Sequence, residues 1–229
     1  MRKTKIVCTL GPATDGEGML REMMLAGMNV ARFNFSHGTH PEHLARLEKL
    51  KALREELDRP VAAMLDTKGP EVRLRDFKDG KVRLRSFEHG SVHLQAGQTF
   101  TLTTEDVVGD ETRCAISYSE LPQDVHAGDT ILLDDGLVRL TVLETTAREI
   151  RCRVENSGEM KTKKGVNVPG VSLSMPYMSQ QDKDDLLFGV EEGFDFVAAS
   201  FVRCAADVRE IRRLLDSRHS KMRIIAKIE

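Results

Sequence analysis

Several features that mark other protein classes are missing from this 229-residue sequence. No apolar run approaches the roughly 20 residues that a membrane-spanning helix needs, and the charged start at 1–3 leads into a predicted strand and not into the apolar core of a signal peptide. The 34 Lys and Arg nearly balance the 36 Asp and Glu, so no net positive charge would draw the chain to nucleic acid or to an anionic membrane. We therefore expect a globular, cytoplasmic protein with no nucleic-acid or membrane partner.

Common signatures of metal and dinucleotide sites are absent as well. The four cysteines are scattered and form no Cys-x-x-Cys pair, which argues against a zinc knuckle and a disulfide framework. The Gly16-Glu17-Gly18 segment lacks the third glycine of a dinucleotide loop, and there is no Gly-x-x-x-x-Gly-Lys loop. His37, His40 and His43 recur at every third position, but Pro41 would interrupt a helix that aligned them. A zinc site is therefore not expected there.

Strand and helix patterns alternate at both ends of the sequence, and its 40% apolar content is enough to fill a core. Strands alternating with helices predict an α/β fold with a parallel sheet. Five strands are compatible either with part of a (β/α)8 barrel or with an open doubly wound sheet. The predicted strands are 5–10, 29–35, 61–65, 194–200 and 223–228, and the predicted helices are 18–26, 41–57, 179–192 and 205–216.

Helical periodicity disappears between about residues 70 and 169. Short alternating segments separated by Gly, Asp and Pro turns take its place. The clearest turn signal is Asp135-Gly136, which joins two apolar runs and predicts a hairpin. We therefore expect one domain formed by 1–70 and 168–229, with an all-β domain at 71–167 inserted into it. The predicted strands of this insertion include 82–85, 99–103, 131–133, 137–140 and 139–143.

Polar side chains follow two neighbouring predicted strands at their carboxyl ends. Because side chains alternate along a strand, Arg32, Asn34 and Ser36 share one face. The next strand ends in Asp66-Thr67, a carboxylate beside a hydroxyl. Parallel α/β folds place their active sites at this edge, and hard cations prefer oxygen ligands. Each feature taken alone is equally compatible with a strand-end cap.

The last predicted strand carries Lys227 and Glu229 on one face. Burying either charge alone costs several kcal/mol, so a metal, a substrate anion or the other residue must compensate it. A structural ion pair is an open alternative. The basic segment 161–170 can be interpreted in two ways, as a phosphate-binding cluster or as a solvated run of charged side chains.

With these residues in view, the sequence resembles the pyruvate kinase family along essentially its whole length. The resemblance implies a partial TIM (β/α)8 barrel, limited to its first five strands, with an inserted all-β barrel domain that acts as a mobile lid after the third strand. The resemblance consists of five sequence blocks that occur in the family's order, and together they are far more specific than any single block. The matching blocks are 5–12, 28–38, 65–73, 164–170 and 225–229.

The resemblance also implies an activity, the transfer of a phosphoryl group from phosphoenolpyruvate to ADP in glycolysis, giving pyruvate and ATP. Arg32 would contact the phosphoryl group, and Lys227 would stabilise the transition state. Magnesium or manganese would bind Glu229. Glu71 implies dependence on potassium, because potassium-independent relatives tend to carry lysine there. Potassium would bind Asn34, Ser36, Asp66 and the carbonyl of Thr67, and the nucleotide would bind Asn34, Ser36, His37, Arg73 and Lys164.

Members of the family have an eight-stranded barrel and a further C-terminal domain, and the intact enzyme is expected to be a homotetramer. A second acidic metal ligand and a threonine near the substrate are expected outside these 229 residues. We therefore expect this chain alone to be inactive. Two other functions are open: another magnesium-dependent barrel enzyme acting on phosphoenolpyruvate or pyruvate, such as an aldolase or lyase, and a non-catalytic domain that keeps a nucleotide or metal site.

Overall fold

The structure is a computed structural model that describes residues 3–78 and 90–228. The strand predicted at 82–85 lies outside these residues. Within the two ranges, no helix is both long enough and apolar enough to cross a membrane.

The chain divides into two compact units. The first comprises Met1–Pro70 and Pro176–Glu229, and the second comprises Glu71–Met175. The second unit thus extends past residue 167, where the sequence pattern places its end. The apolar side chains that follow residue 167 continue to pack against this unit's core, and they are Val168, Val171, Leu173 and Met175.

The described residues form thirteen strands and five α-helices. The strands are β1 Val7–Leu10, β2 Val30–Asn34, β3 Ala62–Asp66, β4 Ser91–Leu94, β5 Thr99–Thr103, β6 Arg113–Ala115, β7 Thr130–Leu133, β8 Val138–Thr145, β9 Glu149–Val154, β10 Gly158–Lys161, β11 Val166–Asn167, β12 Phe196–Ala199 and β13 Arg223–Ala226. The helices are α1 Met19–Ala26, α2 His40–Leu57, α3 Leu121–Asp124, α4 Gln180–Glu191 and α5 Ala205–Ser217.

The first unit contains a five-stranded parallel sheet in the order β1-β2-β3-β12-β13. Helix α1 connects β1 to β2, α2 connects β2 to β3, and α5 connects β12 to β13. Helix α4 precedes β12. A doubly wound sheet reverses its strand order at a switch point, whereas a barrel adds each strand beside the previous one. The observed order does not reverse, so of the two folds that the strand count allowed, this sheet corresponds to part of a barrel.

Residues close in sequence explain where α1 ends and where α2 begins. Helix α1 ends at Gly27, whose φ of 111° is accessible to glycine and whose N–H reaches back to carbonyls of the last turn. At the start of α2, the Glu42 carboxylate accepts a hydrogen bond of 2.7 Å from the Thr39 N–H, and Pro41 lies in the first turn. Leu47 and Leu50 of this helix are fully buried. Helix α2 is therefore anchored by both its cap and its apolar face.

Strand β2 separates an apolar face from a polar face. Phe33 and Phe35 are buried among the helices, and the Phe33 ring packs edge-on against Phe194 with 5.0 Å between ring centroids. Arg32 and Asn34, on the opposite face, are only half-buried. The apolar face holds the strand in the core, which leaves the polar face available for chemistry.

The second unit contains a six-stranded sheet in the order β11-β7-β8-β9-β5-β6 and the two-stranded pair β10-β4. Strands β7 and β8 form the hairpin predicted from Asp135-Gly136. Asp134, Asp135 and Gly136 have φ values of 50°, 54° and 92°, a left-handed turn that suits these residue types. The helix found in the described part of this unit is the four-residue α3.

Candidate functional site

The carboxylate of Asp66, at the end of β3, binds two cationic side chains. Arg32 donates from Nε to Oδ2 at 2.5 Å, and Lys227 donates from Nζ to Oδ1 at 2.8 Å. The Asp66 side chain is 3% exposed, whereas Arg32 is 28% and Lys227 34% exposed. The structure thus brings together three of the residues that the sequence proposes for the site. Asp66 thus holds two cationic side chains beside each other, an arrangement that can bind an anion.

The register of the sheet explains this convergence. Asp66 is the register partner of Asn34 on β2 and of Ala198 on β12. The carboxyl ends of these parallel strands are therefore level, and their terminal side chains meet at one edge. Lys227 follows β13 directly, and its N–H donates to the Ala199 carbonyl at 2.9 Å.

Arg32 has a second fixed contact, on the other side from Asp66. Its Nη1 donates to Thr9 Oγ1 at 2.9 Å, and Thr9 is its register partner on β1. The guanidinium is therefore held by neighbours on both sides of β2. Its partly exposed edge can still meet a ligand oxygen, and guanidinium groups suit phosphoryl oxygens well.

Asn34 and Ser36 form a turn beside Asp66. Asn34 Oδ1 accepts the N–H of Ser36 at 3.1 Å, and the Asp66 carbonyl accepts the N–H of Phe35 at 3.0 Å. The structure therefore places Asn34, Ser36 and Asp66 at the same strand edge. His37 follows in the turn and is exposed, and its N–H donates to the Asn34 carbonyl at 3.2 Å.

Ser200 is a site residue that the sequence reasoning did not select. It lies just after β12 and is 3% exposed. Lys227 Nζ lies 2.9 Å from its Oγ, and this Oγ lies 2.6 Å from the Thr67 carbonyl oxygen and 3.1 Å from Asp66 Oδ1. The signal was available, because Ser200 is a polar residue at the carboxyl end of a predicted strand, which is the criterion that selected Asn34 and Asp66.

The oxygen atoms at this edge are ligands of the kind that hard cations prefer. They comprise an amide oxygen, a hydroxyl, a carboxylate and the Thr67 carbonyl, without nitrogen or sulfur. The Thr67 carbonyl accepts one hydrogen bond here and has a second lone pair. In residues 3–78 and 90–228, no group of three His, Cys, Asp or Glu side chains could hold a metal ion. Glu229, the expected magnesium ligand, lies outside the described residues.

In the second unit, the chain segments around Arg73 and Lys164 are adjacent. The N–H of Leu74 donates to the Lys164 carbonyl at 2.8 Å. Arg73 donates from Nε to Glu71 at 2.7 Å and from Nη1 to the Lys163 carbonyl at 2.7 Å. Lys164 pairs with Asp134 at 3.0 Å, so the two basic residues belong to one local cluster. Both have acidic partners, which keep their charged groups in place but also compete with an incoming phosphate.

The three regularly spaced histidines have different partners. His43 Nε2 donates to the His37 carbonyl at 2.9 Å, and its ring stacks on Phe35 at 4.2 Å. Burial lowers the pKa of His43, so its ring is neutral at physiological pH. His40 Nε2 lies 2.6 Å from Asp185 Oδ1, and burial raises the pKa of that carboxyl. These contacts make His40 and His43 part of the packing between α2, β2 and α4, whereas the His37 side chain is exposed.

Comparisons with known proteins agree in the family they indicate. The family model described as "Pyruvate kinase, barrel domain" matches residues 1–229. Pyruvate kinases of the Staphylococcus aureus strains USA300, NCTC 8325 / PS 47 and COL are each 44% identical to this chain over 231 aligned residues. Each alignment covers 100% of this chain and 38% of the relative. The chain therefore spans 38% of the length of these curated relatives.

Proposed function

This chain belongs to the pyruvate kinase family, and from that premise we propose that the protein transfers the phosphoryl group of phosphoenolpyruvate to ADP, giving pyruvate and ATP. The observation that carries the proposal is the cluster of Arg32, Asp66 and Lys227 at the carboxyl edge of the sheet. Family membership selects this reaction, and the cluster supplies the groups that the reaction needs.

Phosphoryl transfer requires fixed positive charge. During transfer, the phosphoryl group spreads its negative charge over three oxygens, so catalysis depends on cations that are held in fixed positions around it. Asp66 holds the side chains of Arg32 and Lys227 beside each other without neutralising both. We assign to Arg32 the contact with the phosphoryl group, and to Lys227 the stabilisation of charge that develops in the transition state.

The proposed cofactors are potassium and magnesium or manganese. Asn34, Ser36, Asp66 and the Thr67 carbonyl would hold potassium, which would add positive charge beside the phosphoryl group when bound. Glu229 is proposed as a ligand of the divalent metal, and that assignment rests on the family pattern alone. What this chain's own residues contribute is oxygen ligands and two fixed side-chain cations.

The second unit is proposed to contain the inserted all-β lid domain of the family, which the sequence pattern places at residues 71–167. Arg73 and Lys164 are its proposed ADP ligands, and their adjacency in one local cluster supports that assignment. Nucleotide binding by Asn34, Ser36 and His37 stays a prediction from the family pattern. So does assembly of the intact enzyme as a homotetramer.

The test is pyruvate formation by the purified intact enzyme with phosphoenolpyruvate, ADP, magnesium and potassium, with each component omitted in turn. Arg32→Gln should abolish most of the activity. Arg21→Gln is a matched control, because Arg21 pairs with Glu56 on the surface of the same unit and is 43% exposed. If pyruvate formation does not require both phosphoenolpyruvate and ADP, the proposed function is wrong.

The same assay tests whether the 229 residues are sufficient. We expect a polypeptide of these residues alone to show no useful turnover, because the proposed divalent-metal site needs a second acidic ligand that the family pattern places outside them. Turnover equal to that of a full-length relative would contradict this expectation.

A further inference from the structure

We propose that Ser200 is a positioning residue of this site, and that its hydroxyl group sets the positions of both the Lys227 ammonium and the Thr67 carbonyl oxygen. The proposal rests on the function proposed above, because those two groups are the transition-state stabiliser and a potassium ligand in that scheme. Ser200 would therefore link the catalytic cation to the potassium site.

The hydrogen bonds through Ser200 have a defined direction. An ammonium group can only donate, so Lys227 Nζ donates to Ser200 Oγ over 2.9 Å. The hydroxyl has a single proton, and the Thr67 carbonyl oxygen at 2.6 Å is a closer acceptor than Asp66 Oδ1 at 3.1 Å. The chain of bonds therefore runs from the ammonium through the hydroxyl to the carbonyl, and each bond polarises the next.

The backbone of Ser200 is held from several sides, so its hydroxyl cannot easily move away. Its N–H donates to Thr67 Oγ1 at 3.1 Å, and its carbonyl accepts from the Tyr177 hydroxyl at 2.9 Å. Gly69, with φ of 70°, packs so closely that an added Cβ would lie 2.8 Å from the Ser200 carbonyl oxygen. The residue that follows, Phe201, has a φ of 53°, a conformation that non-glycine residues rarely adopt. Ser200 is thus a rigid part of the site.

Asp66, a second acceptor of Lys227, is less able to define its position. Asp66 also binds Arg32, so its carboxylate is shared between two cations. Without the hydroxyl, Lys227 would lose the acceptor that it does not share with Arg32, and the Thr67 carbonyl would lose the hydrogen-bond donor Ser200 Oγ. Both proposed functions, charge stabilisation and potassium binding, should then suffer together.

Ser200→Ala should lower kcat about tenfold to a hundredfold, the range expected for losing a hydrogen bond to a charged group. The KM for phosphoenolpyruvate should stay within about threefold, because the loss falls mainly on the transition state. The potassium concentration that gives half-maximal activation should rise. A readout independent of activity is the increase in melting temperature when NaCl is replaced by KCl, which should be smaller in the variant.

Two further variants separate positioning from general damage. Tyr177→Phe removes the hydrogen bond to the Ser200 backbone but leaves its hydroxyl in place, so it should lower stability with little effect on kcat. In a double-mutant cycle, Ser200→Ala should have little further effect on kcat once Lys227→Met is present, because the hydroxyl acts through Lys227.

The outcomes distinguish the two proposals. If the unaltered intact enzyme forms no pyruvate, the proposed function fails, and the potassium-dependent melting temperature still tests the link from Ser200 to Thr67. If the unaltered protein is active but Ser200→Ala keeps both its kcat and its potassium response, the inference about Ser200 is wrong. An equal loss of kcat in Tyr177→Phe would also overturn it. If Ser200→Ala does not fold, Ser200→Cys keeps the volume, and an unchanged potassium response in that variant would overturn the inference.

Discussion

Replacing Lys227 by methionine removes the ammonium group but keeps an unbranched side chain of similar length. The interactions lost include the hydrogen bonds at 2.8 Å to Asp66 and at 2.9 Å to Ser200. Asp66 is 3% exposed, yet it keeps Arg32 as a partner, so the variant does not leave an uncompensated buried charge. The large penalty of about 3–5 kcal/mol for orphaning such a charge therefore does not apply.

The expected loss of stability in Lys227→Met is about 1–2 kcal/mol. A hydrogen bond to a charged group contributes about 1.5–3 kcal/mol, and the Lys227 side chain is 34% exposed, so solvent screens part of that contribution. The effect on turnover should be larger. Removing one donor that acts on transition-state charge costs about 2.7–4 kcal/mol, which corresponds to roughly a hundredfold to a thousandfold in kcat.

The assay for this variant combines steady-state kinetics with urea unfolding. The KM for phosphoenolpyruvate should change little, because the ammonium acts mainly on charge that develops during transfer. Lys221→Met, at an exposed lysine six positions earlier, should match the parent in kcat and in stability. A kcat for Lys227→Met within about threefold of the parent would refute the assigned role. A loss of stability as large as the loss of transition-state stabilisation would indicate a structural role instead.

Three more outcomes are expected. Burial lowers the pKa of His43 from its ordinary value of about 6.5, so the unfolded chain binds a proton more readily than the folded chain does. The free energy of unfolding should therefore fall as pH drops through about 6.5. In urea titrations between pH 5 and 8, the free energy of unfolding should depend less on pH in His43→Gln than in the parent. Glu71→Lys should reduce the ratio of activities with and without potassium, since the ammonium would replace the cation, and an unchanged ratio would count against this. Leu50→Ala removes a fully buried side chain and should cost about 2–5 kcal/mol in urea unfolding, whereas Lys49→Ala at an exposed position should stay within about 0.5 kcal/mol.

Local patterns in the sequence predicted the elements and some of the site. The alternation along 29–35 predicted both the strand and its polar face, and β2 has its buried and half-buried residues in that order. The bounds differ by a residue or more, because strand ends depend on pairing with neighbours. Lys227, for example, lies just beyond β13 and not inside it.

The partners of the charged residues were less predictable. For Lys227 the sequence suggested a metal, a substrate anion or Glu229 as compensation, and it did not suggest Asp66, the partner 161 residues earlier that the structure shows. Ser200 was missed although its position at a strand end met the criterion that selected Asn34 and Asp66. Its contacts with Thr67 and Lys227 come from other strands and were not predictable from the sequence. A strand-end residue reveals its chemistry only when its neighbours in the sheet are known.

The sequence alone determined which residues of β2 face the core, how α1 ends and α2 begins, and where the β7–β8 hairpin turns. Each of these features depends on residues within a few positions of one another. Only the tertiary structure decided that the sheet runs β1-β2-β3-β12-β13 without reversal. It also decided that Asp66 is level with Asn34 and Ala198. Strand order and register depend on how helices and sheet pack across long stretches of chain, and no local pattern encodes that packing.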